Sequence, residues 1–272
     1  MYIDELSSAN NPKIKELLLL KERSKERRER SLFVIEGIRE LLAANKAGYE
    51  IESIFFVPGS AGEEAINKIT ANHLYSVTEA LYAKIAYREG SEGVVATAKY
   101  RERRLSDIKL SKNPIVIILE SVEKPGNLGA VIRTADGINA DAVIICDPLT
   151  DIYNPNIIRS SLGGVFTRNV CVCNSQDAYE WLVENKIRVL TTELQASKWY
   201  YNTNMSGACA IVMGAESTGL KPFWREHADE RIKIPMSGDV DSLNVSVSTA
   251  VICYEALRQR SANNTVKKRH LK

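Results

Sequence analysis

The stretch Ile234-Pro-Met-Ser-Gly-Asp-Val-Asp-Ser-Leu-Asn-Val-Ser-Val-Ser-Thr-Ala-Val251 joins a short apolar strand to a helix near the C-terminus. Its Pro and Gly residues predict a turn, and the apolar spacing from Val247 to Leu257 predicts one face of a helix. Ser242 and Asn244 stand just before that helix. They could simply cap it, or they could bind an anion or nucleotide with the free N–H groups of its first turn. The upstream sequence decides between these interpretations.

Length and composition limit the class of protein. The chain has 272 residues, enough for about two domains, and a formal net charge of only +2. A basic surface must therefore come from local clusters of Lys and Arg. No run approaches the roughly 18 apolar residues that a membrane span requires, so we expect a soluble, cytoplasmic protein. The five cysteines show no C-x-x-C pair, which favours free thiols in a reducing compartment.

The first 100 residues predict a small α/β domain behind a basic leading helix. Leu17 to Leu20 form a short apolar patch, and Arg28 and Arg30 belong to a run that alternates with Glu. This run is either a solvated helix with i,i+4 ion pairs or a surface that contacts phosphate. Strands are predicted at 32–35, 54–57, 74–77 and 93–98. Helices are predicted after Glu36-Gly37 through Ala44, at 63–71 and at 79–86.

A second domain is expected over residues 114–260, after a charged linker at 101–113. It starts with Ile115-Val-Ile-Ile-Leu119, an uninterrupted apolar strand of the kind found in parallel sheets. Further strands are predicted at 142–146, 170–173, 187–191, 208–213 and 231–234, with helices between them. Alternating strands and helices predict a doubly wound parallel sheet. Residues 261–272 are predicted to form a basic, disordered tail.

Three loops of this second domain follow predicted strands and are rich in Gly and in side chains that form hydrogen bonds. Ligands bind at the carboxyl ends of strands in open α/β sheets, so three such loops predict one shared site. Each loop taken alone could be an ordinary turn. The residues concerned are Asn127, Gly129 and Arg133 in the first loop, Gly214, Glu216 and Gly219 in the second, and Ser242 and Asn244 in the third.

Several common sites have no counterpart in the sequence. No G-x-G-x-x-G dinucleotide fingerprint follows a strand, and no G-x-x-x-x-G-K-[ST] phosphate loop is present. His73, His227 and His270 lack the spacing of metal ligands. We therefore expect no metal site.

The three loops carry a resemblance to a known family. Asn127-x-Gly129-x-x-x-Arg133, Gly214-Ala-Glu216-x-x-Gly219 and Ser242-Leu-Asn244-Val-Ser-Val-Ser248 resemble the three signature motifs of the SpoU (TrmH-like) RNA ribose 2'-O-methyltransferases of the SPOUT superfamily. The resemblance extends from about residue 114 to 258. Phe33-Val-Ile-Glu-Gly37 also resembles the start of the N-terminal substrate-binding domain of members that act on rRNA, which is similar to a ribosomal protein.

This resemblance implies a fold, a cofactor and an assembly. Members of the family have a deep trefoil knot in the methyltransferase domain, bind S-adenosylmethionine in the knot loops and act as homodimers. On this basis Gly214, Ile234 and Leu243 are predicted to bind the cofactor through backbone groups. Thr192 and Met236 are predicted to be further contacts.

The resemblance also implies catalytic roles. Arg133 is central, but a guanidinium stays protonated and is a poor general base. It is better suited to hold the target phosphate or to stabilise the developing alkoxide. Asn127 is predicted to order the first loop, Glu216 to orient Arg133 or a group of another subunit, and Ser242 and Asn244 to bind cofactor or substrate.

The substrate of a 2'-O-methyltransferase is RNA, because only RNA carries the 2'-hydroxyl. RNA contacts are predicted at Arg28, Arg30, Glu36 and Arg133. The N-terminal domain favours 23S rRNA as the target. A tRNA methyltransferase, a methylase that protects an antibiotic producer and a non-catalytic RNA-binding dimer remain open as alternatives.

Overall fold

The computed structural model describes residues 3–87, 92–195 and 198–269, with side chains as far as Ser261. The chain divides into two compact units. Unit 1 contains Met1–Glu102 and Asp151–Thr167, and unit 2 contains Arg103–Thr150 and Arg168–Lys272. The predicted domain limits at 100, 113 and 260 stay a prediction about which parts of the chain have separate functions.

Unit 1 is built on a mixed five-stranded sheet in the order β1-β4-β3-β5-β2. The first, third and fourth strands are parallel, and β5 runs antiparallel to both β3 and β2. The sheet confirms the predicted α/β class, although strand β1 was not predicted. The elements are β1 (Ile3–Leu6), α1 (Pro12–Glu22), α2 (Ser24–Arg30), β2 (Leu32–Glu36), α3 (Ile38–Lys46), β3 (Ile51–Phe56), α4 (Ala61–Ile66), β4 (Ala71–Val77), α5 (Glu79–Ile85) and β5 (Val94–Lys99).

The leading helix follows from its sequence. Asn11 caps α1 by accepting a hydrogen bond from the N–H of Lys13, and proline occupies the first turn, where no donor is needed. Ile14, Leu17 and Leu20 are fully buried on one face. They pack against one side of the sheet in the core of unit 1.

One predicted helix was too long. The sequence predicted helix from 63 to 71, but α4 ends at Ile66 and Ala71 already belongs to β4. Ala71 pairs with Ile51 of β3, so the chain must leave the helix early enough to enter the sheet. Sheet pairing therefore outweighs the helical preference of the intervening residues.

The segment 151–167 belongs to unit 1 although it lies far along the chain. It contains α7 (Pro155–Ser160) and α8 (Gly164–Thr167). The ring of Tyr153 stacks on Phe33 with centroids 4.2 Å apart, and Phe166 lies 5.8 Å from the same ring. Aromatic packing thus closes the second face of the unit 1 sheet.

Unit 2 is a seven-stranded, fully parallel sheet in the order β10-β12-β9-β11-β6-β7-β8. This confirms the predicted parallel α/β domain. Its elements are β6 (Ile115–Glu120), α6 (Pro125–Gly137), β7 (Ala142–Cys146), β8 (Val170–Cys173), α9 (Ser175–Glu184), β9 (Arg188–Thr192), β10 (Lys198–Trp199), β11 (Cys209–Met213), α10 (Pro222–Glu226), β12 (Glu230–Lys233) and α11 (Val245–Arg269).

The order of strands places a topological switch point between β6 and β11. From β6 the chain continues to β7 and β8 on one side, whereas β11, β9, β12 and β10 lie on the other. The loops after β6 and β11 therefore open into the same crevice, which is where such sheets bind ligands.

The C-terminal helix α11 packs on both α6 and β11. It is helical to Arg269, so the structure places no boundary at residue 261. The remaining residues of the predicted disordered tail, 270–272, lie outside the described residues. Among the helices that the structure describes, none is long and apolar enough to cross a membrane.

The five cysteines are free thiols: Cys146, Cys171, Cys173, Cys209 and Cys253. Four of them are buried. Burial raises the pKa of the Cys171 thiol to about 11, so it stays protonated at neutral pH. The four buried cysteines act as small apolar side chains of the core.

Candidate active site

The carboxyl ends of β6, β9, β11 and β12 surround a cleft of about 620 Å³ in unit 2. The second and third loops that the sequence singled out line it, and the first is joined to it by the hydrogen bond from Asn127 to Glu216. Among its lining residues are Lys124, Thr192, Glu193, Gly214, Glu216, Arg225, Lys233, Ile234, Met236, Ser242, Leu243 and Asn244. The volume is typical of a small-molecule or cofactor site.

Glu216 connects the three loops. Its Oε1 atom accepts hydrogen bonds from the side-chain amide of Asn127, at 2.6 Å, and from that of Asn244, at 2.7 Å. The amide of Asn244 also lies 3.3 Å from Oδ1 of Asn127. One carboxylate thus fixes the relative positions of residues that are 89 and 28 positions away in sequence.

Lys124 completes this network and was not identified from the sequence. Its Nζ atom lies 2.8 Å from Oε2 of Glu216. The hydrogen bond and charge of Lys124, with the bond from Asn127, hold the pKa of Glu216 below its ordinary value. Both oxygens of the carboxylate are therefore engaged by donors at the N-terminal end of α6.

Replacing Lys124 with Met is expected to raise the pKa of Glu216 towards its ordinary value of 4.5. A carboxyl with a lowered folded pKa adds stability above its unfolded pKa and loses it as the pH falls through the folded value. The wild-type protein should therefore unfold at a slightly higher temperature than the variant at neutral pH. The difference should diminish as the pH falls below 4.5 and vanish once the pH is below the folded pKa of Glu216, in thermal unfolding followed across a pH series.

A matched control is Lys25→Met, which removes an equally exposed lysine paired with Glu29 on α2. It leaves the Glu216 network intact. If both variants show the same pH dependence, the shift does not arise from the Lys124 contact.

Asn244 caps the helix that follows it and also joins the Glu216 network, while its binding of an anion or nucleotide stays a prediction. Its Oδ1 atom accepts the N–H of Ser246 at 2.9 Å, which caps α11, while its amide donates to Glu216. Ser242 is exposed and donates to Asp241. The two side chains line the cleft and are not packed in the core.

Gly214 sits where two pieces of backbone meet. A Cβ atom built on it would lie 2.3 Å from the carbonyl carbon of Gly219 and 2.4 Å from the nitrogen of Leu220. The bridge between Ala215 and Gly219 folds this loop back tightly. Glycine is required here because any side chain would push the loop away from the end of β11.

The residues predicted to bind the cofactor surround the same cleft. Thr192 ends β9 and donates to the carbonyl of Val212 at 3.0 Å. Ile234 and Met236 follow β12, and Leu243 keeps 37% of its surface exposed beside the cleft. Their individual roles stay predictions.

Two observations test whether these residues suit a nucleoside cofactor with charged groups. The cleft combines apolar walls with the ionic side chains of Glu193 and Arg225, 3.6 Å apart. Nε of Arg225, the atom that lies 3.6 Å from Glu193, is buried and makes no hydrogen bond to the described residues. A bound polar group could satisfy this donor, so the donor set fits such a ligand.

Arg133 lies on α6, one turn beyond Gly129. Its side chain is exposed and has no hydrogen-bond or ion-pair partner within the described part of the chain. Glu216, which was expected to orient it or a group of another subunit, bonds Lys124, Asn127 and Asn244 instead. Within one chain, only the backbone of α6 therefore fixes the position of Arg133.

The remaining predicted RNA contacts lie in unit 1. Arg28 is exposed, without a partner in the described residues, while Arg30 pairs with Glu16 at 3.0 Å and Glu26 at 3.1 Å. Both oxygens of Glu36 accept the N–H of Tyr87, so this carboxylate holds the backbone. Of Arg28, Arg30 and Glu36, Arg28 is therefore the side chain whose charge is most available to contact RNA.

No group of three or more His, Cys, Asp or Glu residues within the described ranges could hold a metal ion.

A parallel α/β sheet with a ligand cleft at its switch point, bordered by an amide and carboxylate network, defines a cofactor-binding enzyme domain. Residues 114–254 match the model of the SpoU rRNA methylase family, and residues 11–96 match that of the MRM3-like substrate-binding domain. The chain belongs to the SpoU rRNA methylase family.

Relatives and solved structures extend over nearly the whole chain. The 23S rRNA (guanosine-2'-O-)-methyltransferase RlmB of Escherichia coli K12 is 32% identical over 241 residues, which cover 85% of this chain and 98% of the relative. The crystal structure of an RNA 2'-O ribose methyltransferase is 37% identical, with a TM-score of 0.82, and covers 94% and 99% of the two chains. An AdoMet-bound rRNA methyltransferase from Sinorhizobium meliloti is 28% identical, with a TM-score of 0.86, and covers 94% and 98%.

Proposed function

We propose that this protein transfers a methyl group from S-adenosylmethionine to a ribose 2'-hydroxyl of 23S rRNA. The observation that carries the proposal is the network of Glu216 with Asn127 and Asn244, which joins all three family motifs around one cleft. Similarity over 85% of the chain to an enzyme named for 23S rRNA guanosine methylation supports the substrate. The AdoMet-bound relative supports the cofactor.

S-adenosylmethionine would supply an already activated methyl group, held by the backbone of residues 214, 234 and 243. The protein must then place the 2'-oxygen in line with it and assist loss of the hydroxyl proton. Glu216 and Asn244 line the cleft where the ribose would enter, and Asn127 is hydrogen-bonded to both. Arg133 would bind the adjacent phosphate or the developing alkoxide through its guanidinium fork.

A tRNA target is the second candidate substrate. A structure described for 2'-OH methylation of C/U34 on tRNA covers only 56% of this chain, at a TM-score of 0.52. The match of residues 11–96 to a substrate-binding domain lies outside the motif region and favours the rRNA assignment.

The proposal is tested by incubating the full chain with tritiated S-adenosylmethionine and RNA lacking the modification. Unmodified 23S rRNA transcript is expected to accept the label, and total tRNA is expected to accept little. Mapping by alkaline hydrolysis, which spares 2'-O-methylated linkages, locates the nucleotide. Label on tRNA alone would replace the rRNA assignment, and no label on either with no cofactor binding would contradict the enzyme.

We also propose that the enzyme is a homodimer through the exposed face of α11. Val247 and Tyr254 are 48% and 52% exposed and lie on the same side of this helix, while Ile252 and Ala256 on the other side are fully buried. Tyr254 borders Gly137 of α6, the helix that carries Arg133. A second copy on this face would bring groups of the partner close to Arg133.

Replacing Val247 with Glu is expected to convert the dimer to a monomer, because it places a charge at the centre of the apolar face. Sedimentation velocity measures the change. The matched control is Val183→Glu, an equally exposed valine on α9, which should leave the dimer intact. A wild-type monomer, or a dimer that survives Val247→Glu, would contradict this interface.

The trefoil knot and a cytoplasmic location belong to the same proposal. The knot is supported by membership of the family and by the path from β12 past the cleft to α11. The location is supported by the five cysteines, none of which forms a disulfide, as is usual in a reducing compartment.

A further inference from the structure

An aromatic and basic surface lies beside the cleft and has no part in the function proposed so far. Trp199 ends β10, the edge strand of the unit 2 sheet, and remains 36% exposed. Two residues further on, Tyr201 is 46% exposed. Trp and Tyr combine a large apolar ring with a polar group and are enriched at interaction surfaces.

The position of Trp199 follows from the parallel sheet. Trp199 pairs in register with Lys233, the last residue of β12. Since all strands run in the same direction, the end of β10 lies at the same edge as the strand ends that form the cleft. Lys233 itself lines the cleft, so Trp199 stands one strand away from it.

The contact between these two side chains leaves both of them available to bind a ligand. Nζ of Lys233 lies 4.7 Å from the centre of the Trp199 ring, a cation–π contact. No carboxylate is within ion-pair distance of Lys233 in the described part of unit 2. The neighbouring Lys198, in contrast, is paired with Glu230 at 2.9 Å.

An exposed indole next to an ammonium group without a paired carboxylate suits a ligand that has both a flat aromatic group and a negative charge. An unstacked nucleobase covers an aromatic ring, and its phosphate pairs with the cation, without requiring a particular sequence. A protein partner would be expected to require a larger apolar surface than one indole and one phenol. The observations therefore favour single-stranded RNA.

We propose that Trp199 is a stacking platform for an RNA base that flanks the nucleotide in the cleft, with Lys233 contacting its phosphate. This rests on the proposed function, because the flanking RNA reaches Trp199 only if the target ribose enters the cleft. Trp199 is a positioning residue on this view, and it takes no part in the transfer itself.

The test compares two replacements of different character in the full-length enzyme. Trp199→Phe keeps an aromatic face, whereas Trp199→Leu keeps apolar volume without one. The Phe variant is expected to retain a KM for unmodified 23S rRNA within about twofold of wild type. The Leu variant is expected to raise KM about tenfold or more, with kcat and the Kd of S-adenosylmethionine unchanged.

Fluorescence supplies an independent readout. The chain has three tryptophans, Trp181, Trp199 and Trp224, and the last is fully buried. Binding of a single-stranded oligouridylate should quench the wild type and Trp181→Phe alike, and it should leave Trp199→Phe unquenched. Lys233→Gln should reduce the slope of log affinity against log salt by about one.

Each outcome decides the proposal. Wild-type KM and quenching in Trp199→Leu would overturn it. Equal loss of thermal stability and cofactor affinity in Trp199→Leu would identify a structural cover for the sheet edge, and a change in sedimentation would identify a subunit contact. If the wild type methylates no RNA, the proposed function fails, while quenching by the oligouridylate still decides whether Trp199 stacks on RNA.

Discussion

Arg133→Ala is expected to lower methyl transfer to RNA by about 100- to 1,000-fold while leaving the affinity for S-adenosylmethionine nearly unchanged. This is the usual loss when a preorganised donor to developing negative charge is removed. The side chain is exposed on α6 and has no partner in the described residues, so its loss should not disturb the cleft. Single-turnover transfer to unmodified 23S rRNA and calorimetry with the cofactor measure the two quantities.

Two further variants define the role of Arg133. Arg133→Lys keeps the charge but not the planar fork, and it is expected to restore less than about a tenth of the wild-type rate. Arg168→Ala is the control, since Arg168 bonds Asp136 and Asn139 near the end of the same helix. Near wild-type turnover in Arg133→Ala would remove Arg133 from the catalytic assignment, and loss of cofactor binding would make it a structural residue.

The parallel sheet was predictable because its signal is local. Ile115 to Leu119 are almost completely buried, and a strand covered on both faces has to be apolar throughout. The three polar loops were predictable for a related reason, since each follows such a strand directly. The direction of the strands alone then brings the loops to one edge.

Contacts between distant residues were not predictable in the same way. Lys124 looked like an ordinary charged residue before Pro125, and only the folded chain places it on Glu216. The segment 151–167 was likewise assigned by position in the sequence to the second domain, whereas its aromatic rings pack in unit 1. The spacing of residues along a sequence does not show which charged or polar side chain will contact a residue far away in the chain.

Arg27, in the basic run of the leading helices, is another residue whose contacts could not be predicted from the sequence. The sequence offered two interpretations for this run, solvated charge or phosphate contact. Arg27 fits neither, because its side chain is only 2% exposed and its Nε lies 2.6 Å from Oδ2 of Asp151, itself 6% exposed. Its guanidinium also donates to the carbonyl of Leu20 at 2.8 Å, while Tyr100 donates to Asp151 at 2.9 Å.

Replacing Arg27 with Met is expected to destabilise the protein by roughly 3–5 kcal/mol, because it leaves the buried Asp151 carboxylate without its countercharge. Burial next to that carboxylate already raises the pKa of Tyr100, so Tyr100 cannot take over the charge compensation. Urea unfolding followed by circular dichroism measures the loss. Arg28→Met, one residue further and exposed, should change the free energy of unfolding by less than about 0.5 kcal/mol.

The double replacement Arg27→Met with Asp151→Leu separates the two causes of destabilisation in the single variant. These are the uncompensated Asp151 carboxylate and the lost hydrogen bonds of Arg27. Removing both charges leaves no uncompensated carboxylate, so the double variant is expected to be more stable than Arg27→Met alone. A double variant that is no more stable would mean that the hydrogen bonds of Arg27 to backbone carbonyls and of Tyr100 to Asp151 carry the effect. A loss below about 1 kcal/mol in Arg27→Met would mean that water reaches Asp151 and that the pair contributes as weakly as a surface ion pair.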